Sequence, residues 1–253
     1  MALSGRLAIV TGAASGIGEA VSHALAAEGA TVIVADIQFE AAQKVAKSLP
    51  GGASHQAMHV DVGDASSVEQ LFNSVRNASQ LPLSIVVNSA GIIRSASLID
   101  GTDEMFDTII RVNLKGTFLM TRASARYMLR SGEVRPEGGA AIVNVASIMG
   151  KSGRAGFGVY AASKAAVVAF TKTAAQELAV HGIHCNAVLP SWTDTPMNDC
   201  LPEDQKAAVC SRTPLKRSAQ PQEIAEAIKF LCLPTASSYI TGAAMEVTGG
   251  LEM

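Results

Sequence analysis

Apolar positions along the chain fall into two alternating patterns. Short runs at residues 7–10, 31–35, 58–60, 85–87, 141–145, 185–189 and 245–247 are rich in Val, Ile and Ala, and most are apolar throughout rather than at every second position. A strand that is apolar on both faces must be covered on both, which is the condition of a parallel sheet between two helix layers. Between these runs, residues 16–28, 39–49, 66–77, 103–132, 159–180 and 222–231 carry apolar side chains at the 3.6-residue period of an amphipathic helix. The alternation predicts an α/β fold: a doubly wound, seven-stranded parallel sheet with helices on both faces. No shift in composition marks a linker, so one domain is expected across residues 1–253. Residues 191–221 interrupt the rhythm with four prolines (Pro196, Pro202, Pro214 and Pro221) and mixed polarity, and are expected to form a mobile substrate lid over the sheet edge.

Composition narrows the class. Of the 253 residues 48% are apolar and 17% charged, the balance of a globular chain and not of a disordered one. No apolar run is long enough to span a membrane. With 20 Lys and Arg against 22 Asp and Glu, the chain lacks the basic surplus on which phosphate-backbone affinity rests, so no nucleic-acid partner is expected. The cysteines Cys185, Cys200, Cys210 and Cys232 form no Cys-x-x-Cys pair, and His181 and His184 beside Cys185 lack a fourth ligand; neither a disulfide framework nor a metal site is expected. With no leader pattern before the first strand, an intracellular soluble protein is expected, of the cytoplasm or the mitochondrial matrix.

The first chemistry-bearing segment is Thr11-Gly12-Ala13-Ala14-Ser15-Gly16-Ile17-Gly18, which follows the first strand and opens the first helix. Three glycines there permit a sharp turn and close backbone approach, while free amides and the dipole of the helix N-terminus attract a pyrophosphate. Asp36 ends the second strand, where a carboxylate accepts hydrogen bonds from an adenosine ribose and repels a 2′-phosphate. Ala14 and Ile37 beside it are neutral, so NAD(H) is expected rather than NADP(H). Asp61-Val62 and Asn88-Ser89-Ala90-Gly91 end the third and fourth strands, where ligands of open α/β sheets bind.

The second is Tyr160 and Lys164, four apart on one helix face. An ammonium about 5 Å from a phenol contributes roughly 3 kcal/mol at an effective dielectric near 20, so the phenol is expected to be acidified by about two pK units. Such a tyrosine could protonate a carbonyl oxygen or deprotonate an alcohol near neutral pH. Ser147, 13 residues earlier at a strand end, could hold the same substrate oxygen. Asn113, in Val112-Asn113-Leu114-Lys115-Gly116, is a poor helix residue, as is Gly116, and the pair predicts a local kink around water. Together these point to an oxidoreductase interconverting a secondary alcohol and a ketone.

On these residues the chain resembles the short-chain dehydrogenase/reductase superfamily from Thr11 to Gly250, with Asn113, Ser147, Tyr160 and Lys164 in the family's order. The resemblance implies a Rossmann-type domain, Tyr160 as acid/base, Lys164 also on the nicotinamide ribose, and Asn113 holding a water in a proton relay. It implies a cofactor site of Gly12, Ser15, Gly16, Ile17, Gly18, Asp36, Ile37, Asp61, Val62, Asn88, Ala90 and Gly91, with Pro190, Thr193 and Thr195 at the nicotinamide end. Two motifs depart from the family's: Asn-Asn-Ala-Gly reads Asn88-Ser89-Ala90-Gly91, and Pro-Gly reads Pro190-Ser191. Residues 160–165, 181–186 and 246–251 are similar to the 17β-hydroxysteroid dehydrogenase type 8 subfamily, itself similar to the 3-oxoacyl-acyl-carrier-protein reductases. That implies a lipophilic ketone or alcohol as substrate, first a steroid such as estradiol or estrone, alternatively a 3-oxoacyl thioester; a non-catalytic NAD-binding subunit is the other alternative. It also implies a homotetramer, or a heterotetramer with a related reductase subunit. Trp192, Met197 and Leu201 give the lid its apolar character.

Overall fold

The computed structural model describes residues 1–130, 138–198 and 203–252. Seven strands, β1 (Leu7–Thr11), β2 (Thr31–Asp36), β3 (Gln56–His59), β4 (Leu83–Asn88), β5 (Ala140–Val145), β6 (Ile183–Pro190) and β7 (Ala244–Val247), pair in parallel in the order β3-β2-β1-β4-β5-β6-β7. Every residue of β1 and β4 is buried, including the unbroken apolar runs at residues 7–10 and 85–87.

Side chains alternate between two cores. Ala8, Val10, Val32, Val34, Ile85 and Val87 pack under the helices α1 (Gly16–Ala27), α2 (Phe39–Ser48) and α9 (Pro221–Cys232), where Val21, Leu25, Ile224 and Ile228 meet them. Leu7, Ile9, Ile33, Val86 and Ile142 point to the opposite face, against Leu71, Val75, Met120 and Leu178 of α3 (Ala65–Ala78), α5 (Thr117–Met128) and α7 (Gly158–Ala179). Each Val, Leu, Ile or Met among them taken fully from water contributes about 1.5–3 kcal/mol. Because β1 is flanked by β2 on one side and β4 on the other, the connections diverge there and open a crevice at the carboxyl ends of the strands.

Two regions differ from the sequence pattern. The single helix expected over residues 103–132 is divided into α4 (Asp103–Ile109), a π-helical turn (Ile110–Gly116) and α5; its expected end at Gly132 lies outside the described residues. The expected lid contains a 3₁₀ turn (Pro196–Asn198) and a ten-residue helix, α8 (Glu203–Arg212), while Cys200 and Leu201 lie outside the described residues. Its base is pinned: Asp194 N donates to Ala219 O at 2.9 Å and Ala219 N to Trp192 O at 2.9 Å. A short helix, α6 (Met149–Ser152), also appears after β5. No helix among the described residues is long and apolar enough to cross a membrane.

Candidate active site

The glycine-rich turn has the shape its composition demands. Gly12 sits at φ +64°, and a Cβ on it would lie 2.7 Å from Ala90 Cα; a Cβ on Gly18 would lie 2.2 Å from Gly12 O. Only glycine lets the turn lie against the loop after β4 and lets α1 close onto the turn. Thr11 Oγ1 accepts from Ala90 N at 3.3 Å, fastening the same junction. Ser15 precedes α1 in extended conformation, and its hydroxyl makes no capping bond. Gly16, Ile17 and Gly18 therefore present the first turn of α1 to a cavity of about 830 Å³.

Asp36 is buried at the end of β2, where Oδ2 accepts from Ala14 N and Oδ1 from Gln38 N, both at 2.9 Å. It lines the cavity beside Ile37, which is 58% exposed. Asp61 pairs with Arg111 at 2.8 Å and accepts from Gly63 N at 2.9 Å. Burial alone would raise the Asp61 pKa, but the Arg111 bond, the Gly63 amide and the nearby Arg111 and His59 charges outweigh it and hold the carboxyl below its ordinary value.

At the far end, β5 leads to Ser147 and α7 carries Tyr160 and Lys164, all buried. Ser147 is hydrogen-bonded to Tyr160. Lys164 Nζ donates to Val145 O at 2.8 Å and stands 5.8 Å from the Tyr160 ring centroid. The ammonium was expected to acidify the phenol. In the folded chain burial instead raises the Tyr160 pKa, opposed by the Ser147 bond, and lowers that of Lys164 to about 8. Desolvation penalises both charged forms, and the ammonium is directed at a carbonyl.

Asn113 lies in the π-helical turn, fully buried. The extra residue in that turn aims its amide at the loop after β4: Oδ1 accepts from Ile92 N at 2.8 Å, and Nδ2 donates to Ile92 O at 3.0 Å and to Ser163 Oγ at 3.1 Å. A Cβ on Gly91 would lie 3.3 Å from Asn113 Oδ1 and 3.4 Å from Lys164 Nζ, so both atoms border one small space kept open by glycine.

Of the expected site residues, Gly12, Ser15, Gly16, Ile17, Gly18, Asp36, Ile37, Asp61, Val62, Ala90, Gly91, Ser147, Tyr160, Lys164, Pro190, Thr193 and Thr195 line this one cavity, with Trp192 and Met197 of the lid. Asn113 lies behind its wall. Asn88, expected on the cofactor, does not reach the wall either; its Nδ2 donates to Asn144 Oδ1 at 2.8 Å and Thr121 Oγ1 at 3.1 Å inside the core. Ser191, where the family has glycine, donates from Oγ to Thr248 O at 3.1 Å. Arg94, Arg111, Arg154 and Arg212 line the cavity unforeseen, since they belong to no motif and reach it from separate loops and helices. Among the described residues no group of three or more His, Cys, Asp and Glu side chains is placed to hold a metal.

Comparison with known proteins places this geometry in context. The family described as enoyl-(acyl carrier protein) reductase matches residues 12–252. The chain is 43% identical over 259 residues to the (3R)-3-hydroxyacyl-CoA dehydrogenase of Mus musculus, covering 99% of this chain and 98% of that one. It is 40% identical over 254 residues to the 3-oxoacyl-[acyl-carrier-protein] reductase FabG of Thermotoga maritima, covering 99% of each. The crystal structure of a short-chain type dehydrogenase/reductase from Mycobacterium marinum superposes with a TM-score of 0.91 at 34% identity, covering 99% of this chain and 96% of that one.

Proposed function

Because the chain belongs to the short-chain dehydrogenase/reductase superfamily of nicotinamide-dependent oxidoreductases, we propose that it interconverts the 3-oxo and 3-hydroxy forms of an acyl thioester, using NAD(H). The observation that carries this reading is the union, in one cavity, of the glycine cradle at one end with Ser147, Tyr160 and Lys164 at the other. The dinucleotide supplies or accepts the hydride. Its pyrophosphate suits the first turn of α1, and its adenosine ribose suits Asp36, which has no cationic neighbour at residues 14 or 37 to favour a 2′-phosphate.

In reduction, the Tyr160 hydroxyl gives its proton to the carbonyl oxygen while Ser147 holds that oxygen by a hydrogen bond. A phenol held above its ordinary pKa is in the donor form this step needs. Lys164, with a pKa of about 8, is charged at neutral pH and stabilises the phenolate as it forms. Asn113 fixes Ile92 and so the loop that borders the reacting end. Residues 1–253 act as one domain with 191–221 as the substrate lid, and the assembly that the resemblance implies is a tetramer.

The thioester is preferred to a steroid because the similar mouse and Thermotoga proteins are named for acyl thioesters, whereas the steroid rests on subfamily motifs alone. The test is reduction of acetoacetyl thioester and of estrone, each with NADH and with NADPH. Thioester turnover with NADH preferred supports the reading, and turnover of estrone alone overturns it. Tyr160→Phe should lower kcat by about 10²–10⁴-fold with NADH binding retained; full activity in that variant removes Tyr160 from the chemistry.

A further inference from the structure

Among the described residues five cationic side chains line the cavity: Arg94, Arg111, Arg154, Lys164 and Arg212. Three are already engaged. Arg111 is paired with Asp61 at 2.8 Å, Arg212 with Glu252 at 2.8 Å, and Lys164 is bonded to Val145 O. Arg94 and Arg154 have no carboxylate partner among the described residues. Arg94 donates only to the carbonyl of its neighbour Ile93, at 3.1 Å, and Arg154 rests with Cζ 5.8 Å from the centroid of the Phe157 ring.

The two arginines come from different parts of the chain, yet the fold brings their loops together. Ala96 N donates to Gly156 O at 2.9 Å. Arg94 and Arg154 each lie two residues before an end of that bond, at most about 7 Å of chain from it. Both loops are anchored to the reacting end: Arg94 follows Ile92, which Asn113 grips through both backbone groups, and Arg154 precedes Tyr160 by six residues on the segment that opens α7. The flanking residues Ser95, Ser152, Gly153 and Ala155 are exposed, so the pair stands where the cavity meets solvent.

We propose that Arg94 and Arg154 form an anion site at the cavity mouth that binds the phosphate of the phosphopantetheine arm carrying the acyl thioester. Two guanidinium groups with no carboxylate partner among the described residues carry nine N–H donors besides the one that Arg94 gives to Ile93 O, in planar forks suited to phosphate. The Phe157 ring limits the freedom of one of them, which reduces the ordering cost on binding. A neutral ketone of the same shape gains nothing from this pair. The inference rests on the thioester reading above and adds to it what distinguishes a phosphate-bearing thioester from an uncharged one.

The test compares acetoacetyl-pantetheine with its 4′-phosphate, which differ only in the phosphate, and with acetoacetyl-CoA. In the wild-type protein kcat/KM should favour the phosphorylated arm at least tenfold, and the preference should shrink as salt is raised. In the double variant Arg94→Gln/Arg154→Gln the ratio should fall to within about twofold of unity, with NADH titration reporting that the variant is folded. A further gain of acetoacetyl-CoA that the variant also loses identifies the nucleotide as a second source of phosphate; equal values identify the phosphate common to CoA and carrier proteins. A wild-type ratio near one, or a ratio unchanged in the variant, overturns the proposal. Calorimetry of 4′-phosphopantetheine binding to NADH-saturated protein separates the two readings. Binding weakened at least tenfold in the variant, with no thioester reduced by the wild type, keeps the anion site and removes the thioester reaction; absence of binding to the wild type removes the anion site.

Discussion

Replacing Lys164 by methionine should make the cofactor-free protein more stable at neutral pH while leaving it inactive. Burial lowers the Lys164 pKa from 10.5 to about 8, and a fall of that size corresponds to about 3 kcal/mol. The sign follows from which state holds the proton. Above pH 10.5 the amine is neutral in both folded and unfolded chains and burial carries no charge penalty. As the pH falls towards 8 the unfolded chain takes up a proton that the folded chain resists, and below 8 the full cost is present. Methionine has a similar reach and no charge, so it removes this cost but also the hydrogen bond to Val145 O, worth about 1–2 kcal/mol. The net gain at pH 7 is about 1–2 kcal/mol, or about 2–8 °C in Tm for a chain of this size. The decisive measurement is the stability difference between variant and wild type in urea from pH 7 to pH 10 without cofactor. It should fall by about 2–3 kcal/mol over that range and change sign, leaving the variant about 1 kcal/mol less stable than the wild type at pH 10. A difference independent of pH would show that Lys164 carries no burial cost, and the account of the buried pair would fail with it.

Two further changes test the cradle. Gly18→Ala places a methyl 2.2 Å from the backbone oxygen of Gly12, which cannot yield as a flexible side chain would, and should weaken NADH binding more than tenfold in a fluorescence titration. Gly52→Ala, which meets no atom within 4 Å, serves as the neutral control, and equal affinities in the two variants would exclude the cradle as the binding turn. Asp36→Ser should lower the NADH-to-NADPH ratio of kcat/KM at least tenfold. It should also cost about 1–3 kcal/mol of stability, because the Ala14 and Gln38 amides lose a carboxylate acceptor; an unchanged ratio refutes Asp36 as the selector.

How much of this was legible in the chain depended on whether the signal was local. The strands were readable because a sheet buried on both faces needs apolar residues at successive positions, as at residues 7–10 of β1 and 85–87 of β4. Asn113 and Gly116 betrayed the break in their helix because both are poor helix formers. The break itself, one π-helical turn, leaves the apolar period almost undisturbed, so residues 103–132 read as continuous. α8 was hidden because its weakly amphipathic sequence lies among prolines. Asn88 stands in a ligand-binding motif, but its partner is decided by register: β4 aligns Asn88 with Asn144 of β5, 56 residues away, and the two amides bond in the core. Nothing local encodes that pairing.

The acidity of Tyr160 was misjudged for a related reason. Charge attraction between residues four apart can be read from spacing, and it favours a phenolate. Burial cannot, since it comes from elements far along the chain: the β4 loop, β5 and the lid enclose the same cavity. Enclosure raises the phenol and lowers the ammonium together, so the uncharged tyrosine is the resting form at neutral pH. Reduction can begin from that form directly, whereas oxidation must first release the phenolic proton, a loss that the Ser147 bond eases by opposing burial. In the proposed reaction Ser147 would therefore have a part in each direction, holding the substrate oxygen in one and easing the loss of the tyrosine proton in the other.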